Sequence, residues 1–475
     1  MGLNEATLPA PGPAWTERLG EWAGPLVVKE LRQGLASKAF AATFGLMLTA
    51  AFIVTATMGA RALQSSGPLG GWAFWLSCSV FAVYGQLFIP FLAYRALVRE
   101  REEDTWLLLV LTGLGAEGIV RGKHLSAVML LGLGLCATAP FMLFSYLLSG
   151  VSLPSLGLAL WWELGVSFLL VTAAVGLAAQ AHLRLERAGG HFIVVGLGVL
   201  LGGPSLALTW AVTFEGEKLI GKGEVLGLLA LLPVAMALVA MCIPPAGAAA
   251  LALPSESRPG PARRTVAGTF FLGVLTTSLL VVVFEGHAYL LVILSVLNAL
   301  ALLAVGYFSV SSRAPVRHPD PRSFLDRPGA LPSVVVSFGL LVFSAAVFSV
   351  TTELREGRHG AATIAGPAFV LLYLSLAVIV RRLTPLGRLG PVQGTRAGFV
   401  VMTTLGITVP SGLALVADDR LHRGPGWRFN PLFGMIRFIE RSGLEEEVVL
   451  LAGAAVLAGL VALMILAAEA QEEGA

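Results

Sequence analysis

Residues 99–104 are six consecutive charged positions, Arg99-Glu100-Arg101-Glu102-Glu103-Asp104, followed by Thr105. They stand between two apolar stretches, in a segment running from Arg95 to Lys123. The run holds no cysteine, no histidine and no paired nucleophile and base. Its chemistry is therefore charge recognition, in which carboxylates pair with cations on another surface. Residues 106–111, Trp-Leu-Leu-Leu-Val-Leu, are too few to cross a membrane and too apolar to rest in water. Together the two halves predict a short amphipathic helix pinned at the membrane surface with a charged end that docks. Gly113 and Gly115 permit a turn, and Gly122-Lys123 closes the segment. The plainer alternative is a solvated helix start, where acids complement the N-terminal dipole.

Bond-making chemistry is nearly absent. No G-x-S-x-G, H-E-x-x-H or C-x-x-C motif occurs. Gly216, Gly221 and Lys222 have phosphate-loop spacing, but Gly223 stands where Ser or Thr belongs and no strand leads into the loop. Such a loop needs a strand feeding a helix N-terminus, so the match reads as chance, and any ATP would be bound by another polypeptide. Cys78, Cys136 and Cys242 lie in separate apolar runs and read as small buried side chains. No catalytic residue, metal site or cofactor is expected in this chain. Glu163, His182, Glu285 and His287 fall near predicted span ends and read as interfacial. With no evident mid-membrane carboxylate or histidine relay, a proton-coupled carrier is disfavoured.

The elements that must position the charged segment are membrane spans. The chain is 56% hydrophobic and 13% charged, with a mean hydropathy of +0.82. Soluble domains carry about 25% charged residues. Apolar runs of roughly 20 residues recur, each long enough for a hydrocarbon core of ~30 Å. The expectation is an all-α polytopic membrane protein with about twelve spans, at 39–60, 70–94, 124–148, 158–182, 191–213, 224–247, 266–285, 288–311, 331–351, 361–380, 397–417 and 446–469. The seventh and eighth are separated by three residues and also fit a re-entrant pair.

The arginines and lysines orient these spans. With the N-terminus cytoplasmic, 22 of the 32 basic residues fall on the cytoplasmic side, in keeping with the positive-inside rule. An even span count places the C-terminus there too. The expected organisation is a cytoplasmic interfacial helix within 1–38, a first membrane half at 39–247 carrying the segment 95–123, and a cytoplasmic linker at 248–265. A second half at 266–469 follows, with an outer loop at 417–445, and then a tail at 470–475. Residues 15–35 mix Trp15, Leu19, Trp22 and Leu26 with Glu17, Arg18, Lys29, Glu30 and Arg32, the make-up of a helix lying in the interface plane. Pro25 is expected to kink or divide it. The outer loop, rich in Phe, Arg and Trp427, is expected to pack as short helices capping the exit path.

Two elements in this order resemble bacterial ABC-type permeases of the type-2 export class. Pro25, Lys29, Glu30 and Arg32 match a P-x-x-x-K-E-x-R element before the first span. Glu100, Arg101, Glu102, Thr105, Leu109, Thr112, Glu117, Gly122 and Lys123 match a run that follows the second span and ends in Gly-Lys. The resemblance covers about residues 24–150. The outer loop with Trp427, Asn430 and Pro431, followed by one last span, resembles the family's closing unit. Members commonly have six spans, so twelve is a departure.

The resemblance implies a bacterial inner-membrane permease subunit, multi-pass, with no enzymatic activity of its own. ATP and magnesium would be bound by a separate cytoplasmic ATPase that contacts Glu100, Arg101, Glu102, Glu103, Asp104 and Thr105. The lipid bilayer and a second permease copy or paralogue are further expected partners, and no nucleic acid is. A twelve-span secondary carrier and a non-transport membrane enzyme or scaffold stay open.

Overall fold

The computed structural model describes residues 15–64, 67–103, 115–181, 184–220, 223–252, 260–283, 310, 324, 330–354, 358–416, 430 and 445–472. Among them the chain is about 93% helical, with no strand. Hydrocarbon offers backbone groups no hydrogen bonds, so a spanning segment must satisfy its own, as a helix does. Eight helices among the described residues are long and apolar enough to cross a membrane: Lys38–Ala62, Gly70–Glu102, Ala116–Leu147, Leu153–Gln180, Arg187–Gly216, Leu229–Leu251, Ile364–Leu383 and Val449–Glu469. The chain thus has the make-up of an all-α, multi-pass membrane protein. The runs expected at 266–285, 331–351 and 397–417 coincide with helices outside these eight. The run at 288–311 lies outside the described residues except for Val310.

In chain order the first helices are α1 (Trp15–Ala36), α2 (Lys38–Ala62), α3 (Gly70–Val83) and α4 (Ile89–Glu102). α3 and α4 form one rod through a π turn, Tyr84–Phe88. Then come α5 (Ala116–Leu147), α6 (Leu153–Gln180), α7 (Arg184–Ile220), α8 (Gly223–Met241) and α9 (Ile243–Leu251). These share one apolar core, which includes Phe74, Phe81, Tyr94, Leu97, Ile119 and Val171. α10 (Gly260–Val283) leads to a second group: α11 (Leu331–Leu354), α12 (Arg358–Leu383), α13 (Pro391–Val416) and α14 (Glu445–Glu472). The second core centres on α12, whose buried Ala365, Ala368 and Ala377 let neighbouring helices approach closely. α10 touches both groups. Cys242 Sγ donates to Thr269 Oγ1 at 3.1 Å, and Phe270 packs with Leu340 and Val370.

Two local expectations change. α1 runs through Pro25 without interruption, and the chain breaks at Ser37 instead. Proline removes one backbone donor, which the bonds on either side outlast, whereas Ser37 starts a new helix by accepting Phe40 N–H on Oγ at 3.1 Å. The spans expected to end at 94 and to start at 124 also extend as helix into the charged segment between them. Arg95 to Glu102 continues α4, and Ala116 to Lys123 forms the first two turns of α5. α5 has 32 residues, about 48 Å at 1.5 Å per residue, so helix extends beyond the hydrocarbon into charged sequence.

Candidate functional site

α1 reaches α5 because Gly122 has no side chain. A Cβ there would stand 2.6 Å from Leu26 Cδ2. Glu30 lies one turn after Leu26 on the same face of α1, beside Lys123, the neighbour of Gly122. Lys123 Nζ sits 3.0 Å from Glu30 Oε2 and 2.8 Å from Glu100 Oε1. Its side chain is only 3% exposed. One ammonium thus ties together α1, the end of α4 and the start of α5, drawing two carboxylates onto one cation. A cavity of about 720 Å³ opens beside this junction, lined in part by Lys29, Glu30, Arg95, Arg99 and Lys123 over an apolar floor at Phe40.

Arg101 turns the other way. Its Nη1 donates to the carbonyls of Ala178 at 3.4 Å, Ala179 at 3.0 Å and Ala181 at 2.9 Å. These lie at the C-terminus of α6, where carbonyls lack helical partners and the dipole favours a cation. The sequence reading had Arg101 facing a partner; within this chain it clamps α4 to α6. Replacing Arg101 with methionine will destabilise the fold by about 1.5–3 kcal/mol, the range for hydrogen bonds to a charged group. Thermal unfolding in detergent measures this, and an unchanged midpoint would remove the clamp from the account.

The remaining predicted residues divide. Glu102 and Glu103 are exposed, and Glu103 Oε1 accepts from Arg99 Nε at 2.7 Å. Lys29 and Arg32 are exposed on α1. Asp104, Thr105 and residues 106–111 lie outside the described residues, as do Trp427 and Pro431. Asn430 is buried. His182, Glu285 and His287 also lie outside. The structure therefore brings Glu30, Glu100, Gly122 and Lys123 together and separates Arg101 from the exposed acids.

Glu163 is a correction. Instead of reaching an interface it is fully buried, ten residues into α6, about 15 Å from the helix start. Oε1 accepts from Ser205 Oγ at 3.0 Å and Thr209 Oγ1 at 2.5 Å, and Oε2 from Gln86 Nε2 at 2.5 Å. The available signal was spacing. Ser205, Thr209 and Thr213 recur every four residues along α7, a stripe of hydroxyls on one face that suits a polar neighbour. His124, also missed, has Nε2 2.8 Å from Thr172 Oγ1, linking α5 to α6. No cluster of three or more His, Cys, Asp or Glu suited to a metal occurs among the described residues.

Fold and site together define a multi-pass helical membrane protein with a buried, charge-tied junction of three helices. Compared with models of protein families, with curated proteins and with solved structures, the chain finds no match.

Proposed function

We propose that this chain is the membrane-spanning permease subunit of an ATP-driven export system of the ABC type, working with a separate cytoplasmic ATPase that holds ATP and magnesium. The observation that carries this reading is the Lys123 junction. Residues 104–114 leave α4 and return into α5, and both anchors are tied into the bundle. Glu100 is held to Lys123, Lys123 to Glu30 of α1, and Arg101 to the end of α6. A push on this short segment reaches α1, α4, α5 and α6 through ion pairs and helices, the contiguous rigid path that coupling between distant sites uses. Exposed Glu102 and Glu103 stand at its entrance, where they meet a basic partner surface. In this reading the chain has twelve spans with both termini cytoplasmic, lies in a bacterial inner membrane, and assembles with a second permease copy or paralogue. It carries no catalysis of its own.

Affinity purification from the native host tests the first step, and an ATPase should travel with the chain. Reversing Glu102, Glu103 and Asp104 together to lysine tests the surface. Single exposed ion pairs contribute only about 0–1 kcal/mol, so one reversal is expected to be silent. Three convert attraction to repulsion, and like charges facing each other cost several kcal/mol. Membrane insertion will persist, while ATPase capture and transport-coupled hydrolysis will be lost. A triple variant that still retains its ATPase and transports normally would reduce residues 102–104 to a solvated connector.

A further inference from the structure

The Glu163 cluster joins three elements that the Lys123 junction does not. Besides the three donors to its carboxylate, Ser205 Oγ receives Trp162 Nε1 and Gln86 Nε2, each at 3.1 Å. Gln86 sits in the π turn, Trp162 and Glu163 on α6, and Ser205 and Thr209 on α7. π turns are an interruption found often at functional sites. Among the described residues, no lysine or arginine hydrogen-bonds or ion-pairs with Glu163. A carboxylate enclosed in this way is costly unless a cation neutralises it.

The contacts select the cation. Both oxygens are met by hydrogen-bond donors at 2.5–3.0 Å, and among the described residues no group of three His, Cys, Asp or Glu surrounds the carboxylate as metal ligands. A proton needs none. The same groups serve both charge states. The carboxylate accepts from Gln86, Ser205 and Thr209. The acid, protonated at Oε1, donates to Thr209 Oγ1, whose own hydrogen turns to a carbonyl one turn back. Thr213 Oγ1 already makes that kind of bond, to Thr209 O at 2.6 Å. Protonation thus forms one O–H bond and rotates one hydroxyl.

Further polar side chains lie between this site and the start of α6. Ser152 caps the helix, and its Oγ lies 2.8 Å from Ser155 Oγ. Ser155 occupies the space left by Gly216 of α7, where a Cβ would stand 2.2 Å from its Oγ. Thr213 and Thr209 lie on α7 beyond Gly216, and of the two Thr209 touches Glu163. The other titratable groups facing this region are few. Cys78 of α3 is buried. Tyr84 of the π turn directs its hydroxyl away, to Leu130 O of α5. His124 of α5 meets α6 at Thr172, nine residues further on, or ~13 Å. Arg101 of α4 lies at the far end of α6.

We propose that Glu163 is a reversible proton-binding site inside the bundle, and that its occupancy sets how the π turn, α6 and α7 hold together. The site stands whether or not an ATPase docks at residues 102–104, and it is tested without one. Infrared difference spectra of the full chain in lipid nanodiscs, taken from about pH 4 to about pH 10 to bracket free carboxyl titration, should show a carboxylic-acid carbonyl band that titrates. Glu163→Gln should remove it, and Thr209→Val, which deletes one partner, should move it. If Glu163→Gln removes no titrating band, the cluster is a fixed polar contact and the proposal fails. Should Glu163→Gln not fold, Thr209→Val keeps the carboxyl, and a band unmoved there overturns the proposal equally.

Discussion

Replacing Lys123 with methionine will destabilise the folded protein by about 3–5 kcal/mol, the cost of removing one partner from a buried ion pair. Methionine matches lysine in length, so the change is chiefly one of charge. Lys123 is 3% exposed, while Glu30 and Glu100 are 9% and 15% exposed. Without the ammonium, two carboxylates face each other across the desolvated space it held. Water reaches neither well, and each repels the other. α1 should release first, since Glu30 is its charged tie to α5 and Leu26 on Gly122 is an apolar contact of ordinary strength. Unfolding in detergent measures the loss. Changing Glu30 and Glu100 to glutamine in the Lys123→Met background should restore most of it, because the uncompensated charge is then gone. A Lys123→Met protein that melts with the wild type would show the triad to be incidental, and the coupling path would lose its central link.

Replacing Arg381 with methionine will cost about 1.5–3 kcal/mol, the range for hydrogen bonds to a charged group, concentrated on the last helix. Arg381 Nη2 donates to both carboxylate oxygens of Glu469, and Nη1 donates to Pro391 O at 2.7 Å. One side chain, 4% exposed, therefore fastens α14 to α12 and also holds the start of α13. Arg382 cannot replace it, being 52% exposed with its Nη1 3.9 Å from Glu469. Hydrogen exchange should speed up along the C-terminal end of α14 well beyond any change in α5 or α6. Glu469→Gln should cost less, because the amide oxygen still accepts from the guanidinium. Uniform protection of α14 in the arginine variant would mean that apolar packing at Leu451, Ala455 and Ala462 holds the helix unaided.

These cases mark what could be read from sequence. Glu30, Glu100, Gly122 and Lys123 were each legible, as charge next to an apolar run or as a Gly-Lys pair. Their meeting was not, because 93 residues separate the first from the last and nothing local fixes how α1 lies on α5. Arg101 and Glu102 were indistinguishable in sequence, since both are polar and adjacent. On a helix they diverge by about 100°, and the open C-terminus of α6 decided which turned inward. Glu163 was misread because it falls near the start of the span expected at 158–182, and its partners lie 42 and 46 residues away on α7 and 77 residues away in the π turn.

The sequence by itself determined the solvent and the secondary structure. Apolar runs of this length have hydrocarbon as their medium, and that medium demands helices, because an unpaired backbone group costs too much there. It also marked where charge gathers. Only the tertiary structure decided which charges pair and which remain exposed. Apolar side chains surround every span, so hydrophobic periodicity is weak and does not say which face meets protein and which meets lipid. Close approach at Gly122, the π turn at Gln86 and the α6 terminus at Ala181 settle that choice through short-range packing and hydrogen-bond geometry, which exist only once the helices have met.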